Sequence, residues 1–104
     1  MNPSREKVQL ATDAIEAEMR RIGLWQEAPL PEQAYRFTQA FAGDTMSCEQ
    51  WLQFIFLPRV REIAQSHGRF PSHSEVAVYA MRNFDGMDNT SHLQDLLSGF
   101  DEMF

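Results

Sequence analysis

The stretch Asp44-Thr-Met-Ser-Cys-Glu-Gln-Trp-Leu-Gln-Phe-Ile-Phe-Leu-Pro-Arg-Val-Arg-Glu-Ile63 decides how this chain folds. Ser47 followed three residues later by Gln50 is a capping-box pattern, in which two side chains satisfy two backbone amides that the first helical turn leaves unpaired. Asp44 and Thr45 offer alternative caps. Downstream, Trp51, Leu52, Phe54, Ile55, Phe56, Leu57, Val60 and Ile63 cover more than one face of a helical spiral. A helix apolar on that many sides is packed by neighbours on several of them, so the pattern predicts a central helix that ends before Gly68. Pro58 removes one backbone donor and presses its ring on the carbonyl of Phe54, which predicts a kink between those residues.

Working outward, Val8, Ala11, Ile15, Met19 and Ile22 recur at spacings of three and four behind Ser4, predicting an amphipathic first helix that stops at Gly23. Glu16 and Arg20 form an i,i+4 pair on its wet side. Between Gly23 and Met46 the periodicity breaks down, and Pro29 and Pro31 exclude helix between them. Trp25, Tyr35, Phe37 and Phe41 are expected to pin this long connection across the bundle as core filler, a ligand-facing role being the alternative. Beyond the turn-rich segment around Gly68 and Pro71, a third helix is predicted over Glu75 to Phe84, closed by Asp85-Gly86. A fourth begins near Thr90 or Ser91, with Ser91 and Gln94 as a second capping-box pattern and Leu93, Leu96, Leu97 and Phe100 as its apolar stripe. The expected fold is all-α: a single small antiparallel bundle of about four helices, residues 1–104, with a kinked central helix and a long first connection.

Composition narrows the function classes. The chain has 104 residues, 43% of them apolar, and a formal net charge of −6. No Lys or Arg follows Arg82, whereas Asp85, Asp88, Asp95, Asp101 and Glu102 do, so direct nucleic-acid binding is disfavoured. Cys48 is the sole cysteine, which excludes an internal disulfide and fits a reducing, cytoplasmic setting. The longest dense apolar run, Trp51 to Leu57, is too short to span a bilayer.

Few residues carry chemistry. Cys48 lies just inside a predicted helix N-terminus, where the macrodipole favours a thiolate, yet nothing places His67, His73 or His92 beside it as a base. The histidines match no metal-ligand spacing, and no phosphate loop, catalytic triad or paired-carboxylate signature is visible. The expectation is no enzyme activity, no cofactor and no metal. Arg59 and Arg61 emerge from an apolar helix, and a tie from Arg59 to a carboxylate (Asp44, Glu49, Glu62 or the acidic tail) is the structural reading.

At Asp44-Thr45-Met46, Trp51-Leu52-Gln53 and Leu57-Pro58-Arg59 the chain resembles the YqcC-like family of small bacterial helical proteins. The resemblance implies a helical bundle and carries over no catalytic residues. In several proteobacteria the family's gene lies beside that of a tRNA pseudouridine synthase, so the resemblance also implies a link to tRNA modification and that synthase as partner. The resulting expectation is a non-catalytic helical interaction module. Tyr35, Phe37, Phe41, Asp44, Gln53, Arg59 and Arg61 are its candidate binding residues, the best surfaces being the Tyr35–Phe41 segment and the region around Gln53 and Arg59. The alternative is a binder of a small ligand, or of RNA directly, through the side bearing Arg36, Arg59 and Arg61.

Overall fold

A computed structural model describes residues 4–39, 45–70 and 73–104. Helix α1 spans Arg5–Arg21, capped by Ser4, whose hydroxyl accepts from the Lys7 amide at 3.1 Å. It closes on Gly23 at φ +82°, a left-handed turn in which the Leu24 amide reaches back to the Met19 carbonyl at 2.9 Å. Among the described residues the first connection contains one 3₁₀ turn, Glu32–Tyr35.

The central helix is one rod in three pieces: α2 over Cys48–Trp51, a π-helical turn over Leu52–Phe56, and α3 over Leu57–Gln65. Both arms of the Ser47/Gln50 capping box form, at 3.3 and 3.0 Å. The disturbance expected from Pro58 takes the form of the π turn. With the Leu57 amide donating to the Leu52 carbonyl, the backbone widens immediately before the proline, where a tight α turn would set the ring against the carbonyl behind it. The rod stops with His67 in the left-handed region, φ 58°, and the Gly68 amide bonded to the Ile63 carbonyl at 2.9 Å. The helix thus ends before Gly68, as its sequence predicts, with histidine in the left-handed position.

Helix α4 spans Val76–Asn83 and α5 spans Ser91–Asp101. The second capping box does not form. Thr90 holds the cap position, and Gln94 donates to its hydroxyl at 3.0 Å instead of pairing with Ser91. Among the described residues there is no strand.

Helix α1 packs on α3 and α5, and α5 packs on α4. Val8, Ile15, Met19, Leu52, Leu57, Leu93 and Leu97 are wholly buried between them. Each such side chain contributes about 1.5–3 kcal/mol relative to exposure. A smaller cluster, Ala34 and Met46 with Leu30, Phe37 and Ile55 around them, docks the first connection on the central rod. No helix among the described residues is long and apolar enough to cross a membrane.

Candidate functional site

The helical periodicity of the central rod divides its polar side chains among three neighbours. Gln53 is buried and faces the first connection: its Oε1 accepts from the Gln26 amide at 2.8 Å and its Nε2 donates to the Gln26 carbonyl at 2.7 Å. The side chain thereby pairs with one residue's backbone as a neighbouring peptide unit would. Gln50 adds a bond from its Nε2 to Gln26 Oε1 at 3.1 Å. Gln53 therefore has a structural task, which packing does supply: it fastens the long connection where no regular element could. Trp25, farther back, lies under Arg20 at 4.6 Å in a cation–π contact.

Arg61 faces α1. Its guanidinium binds Glu16 at 2.7 Å, Asp13 at 3.0 Å and the Thr12 carbonyl at 3.4 Å. Burial alone would push the Glu16 carboxyl up; the hydrogen bonds from Arg61 and Arg20 outweigh it and hold the group below its ordinary value. Arg61 thus makes the kind of arginine–carboxylate tie expected of Arg59, for which Asp44, one of the candidate partners, lies outside the described residues. Arg59 is exposed and forms no ion pair with any described residue. Two residues farther round a helix is a turn of about 200°, which takes Arg59 off α1 altogether.

Arg59 stands instead at the rim of an apolar groove of about 230 Å³ between the central rod, the start of α4 and the end of α5. Trp51, Ile55, Phe56, Val60 and Ile63 form one wall, and Phe70, Phe100 and Phe104 carry the lining across to Val76. The rings form a connected series, with Phe56–Phe100 at 5.0 Å, Phe100–Phe104 at 4.9 Å and Phe70–Phe104 at 5.9 Å between centroids. Trp51 stacks on Phe56 at 5.5 Å and meets Tyr79 edge-on at 5.8 Å. On the far bank His73 Nε2 lies 3.2 Å from Glu75.

The bank itself is held by Asp101, a residue the sequence suggests only as part of an acidic tail. Its Oδ1 accepts from the Ser74 hydroxyl and from the Val76 amide at 3.1 Å, and its Oδ2 accepts from the Ala77 amide at 2.7 Å. The last residue of α5 thus caps the first turn of α4, whose own cap residue, Glu75, contributes no side-chain bond.

The other candidates scatter. Tyr35 is 44% exposed, so it is not core filler, whereas Phe37 is half-buried over Ala34 and Met46. Phe41 and Asp44 lie outside the described residues. Cys48 is buried, and desolvation, reinforced by Glu49, pushes its thiol up to about 12. Burial thus opposes the thiolate that a helix N-terminus favours, and the side chain packs in the main core as a small hydrophobe. Among the described residues no three His, Cys, Asp or Glu side chains are grouped to hold a metal.

Residues 7–103 match the family model DUF446, described as tRNA pseudouridine synthase C. The chain belongs to this family. It is similar to an uncharacterized protein of Haemophilus influenzae, 29% identical over 94 residues that make up 90% of this chain and 86% of that one. It is also similar to the uncharacterized protein YqcC of Escherichia coli, 32% identical over 77 residues, 73% of this chain and 70% of that one. The solution NMR structure of that YqcC has the same fold, with a TM-score of 0.85 at 24% identity over 95% of this chain and 86% of its own. A third relative is the tRNA pseudouridine synthase C of Pectobacterium carotovorum, 40% identical over 57 residues, which are 55% of this chain but only 15% of the synthase. Most of that protein lies outside the match, so its name conveys no activity to this chain.

Proposed function

We propose that this chain is a non-catalytic helical module that works beside a tRNA pseudouridine synthase in the cytoplasm. The observation that carries the reading is the 57-residue similarity to a stretch of the Pectobacterium carotovorum protein named tRNA pseudouridine synthase C. A stretch of this kind joined covalently to the rest of a synthase is held at high effective concentration beside it. Where such a stretch is not joined to a synthase, it needs a docking surface to reach the same state.

The alternative, RNA or a small ligand bound through Arg36, Arg59 and Arg61, loses its third member, because Arg61 is engaged by Glu16 and Asp13 on α1. Co-expression with a tRNA pseudouridine synthase C, followed by affinity capture and size-exclusion chromatography, tests the proposal. Co-elution of the two proteins, together with a changed yield of pseudouridine in tRNA, is the expected result. Separate elution with an unchanged yield would refute it.

A further inference from the structure

We propose that the groove between the central rod, α4 and the end of α5 is an anchor pocket for a segment of a partner protein that presents one large apolar side chain beside a carboxylate. Size is the first argument. At about 230 Å³ the groove is smaller than the roughly 300–1,000 Å³ typical of small-molecule sites, and it suits one large side chain. Its lining is the second: Trp51, Phe56, Phe100 and Phe104 contribute aromatic walls, the kind of surface into which an interface's apolar anchor packs.

Charge decides the occupant. Arg59 is the cation of the rim, exposed and without an ion pair to any described residue. On the opposite bank Glu75 offers a carboxylate, with His73 beside it at 3.2 Å. The groove is therefore polarised across its width. A segment whose acidic residue lies toward the central rod gains a charge-assisted, bidentate contact with Arg59 as the anchor excludes water; the reversed orientation meets Glu75 and is repelled. Asp101 acts as a positioning residue for this site, because the Ser74 and Val76 it holds line the far bank. The inference rests on the proposed function for the identity of the partner and on the groove alone for its chemistry.

The test titrates the isotopically labelled full chain with a short blocked helical peptide carrying one Phe and a Glu one turn later, and with its Glu→Lys counterpart, by NMR. Shifts confined to the groove at Trp51, Val60, Val76 and Phe104 are expected, with the Glu peptide bound about fivefold more tightly than the Lys peptide. Arg59→Glu, an exposed substitution whose folding is checked by thermal unfolding, should reverse that order. No binding at peptide concentrations of about 5 mM, a weak-fragment affinity, would overturn the proposal. So would equal affinities, shifts elsewhere, or an order that Arg59→Glu leaves unchanged. 4-Phenylbutyrate binding as tightly as the peptide would make the groove a small-ligand site and overturn the protein occupant. Capture of the synthase should fall about tenfold with Arg59→Glu. Capture equal in both forms overturns the groove assignment while the proposed function stands. A peptide preference without any capture of the synthase does the reverse.

Discussion

Arg59 and Arg61 are two residues apart on one helix and have opposite fates. On the α1 side, Arg61 is drawn into a three-acceptor cradle of Glu16, Asp13 and the Thr12 carbonyl, and its charge is used to bind two elements of the same molecule together. On the groove side, Arg59 stands in solvent over an aromatic trough, its charge matched by no described residue. One side of the central rod is closed by polar ties; the other is left apolar, concave and marked by a cation. The contrast teaches that the residue type at a position says little about its role until the rotation of the helix assigns it a neighbour.

The largest effect should come from the floor of the groove. Phe100 is 3% exposed and touches two other rings, so Phe100→Ala is expected to cost about 3–5 kcal/mol in urea unfolding. A cost below about 1 kcal/mol would mean that the trough is soft surface and not the edge of the core. Next is the tie to the first connection: Gln53→Ala leaves both backbone groups of Gln26 without their partners and should destabilise by about 1–3 kcal/mol. A near-zero value would show that the connection is not fastened there.

On the α1 side, Arg61→Ala should cost about 1 kcal/mol or less, because the cradle is partly exposed and screened by salt. That cost depends on pH. Folding lowers the Glu16 pKa, so the tie contributes fully above the ordinary value of 4.5 and is lost as the pH falls through the lower folded-state value. The gap between wild type and Arg61→Ala should therefore narrow in acid below about pH 4.5 and stay constant near neutrality; a gap that widens in acid would contradict the Glu16 assignment. Smallest of all, Arg59→Ala should change stability by no more than about 0.5 kcal/mol, which separates the two arginines directly. A larger loss would restore to Arg59 the structural tie that the sequence suggested.

Most of the helices were legible because their signals are local. Ser4, the Ser47/Gln50 box and Gly23 act within a single turn, and each forms as its spacing predicts. The errors also have physical causes. Thr90 displaced Ser91 as cap, since neighbouring candidates differ by less than the packing of the whole helix end. For the site, the sequence singled out Gln53 and Arg59 as polar residues on an apolar helix, but it supplied no partner for Gln53 and only a choice of carboxylates for Arg59, none of which pairs with it among the described residues. Asp101 as the cap of α4 was invisible, because its partners lie 24 to 27 positions away.

What the sequence determined by itself is the inventory of helices and the apolar girdle of the central rod, because periodicity, caps and turn residues act over a few residues. The tertiary structure alone decided that Pro58 is met by a π turn, that Gln53 holds the backbone of Gln26, and that Arg61 is engaged while Arg59 is left at the mouth of a groove. Those outcomes depend on which element lies across from a given face of the helix, and that is settled only when the rods pack.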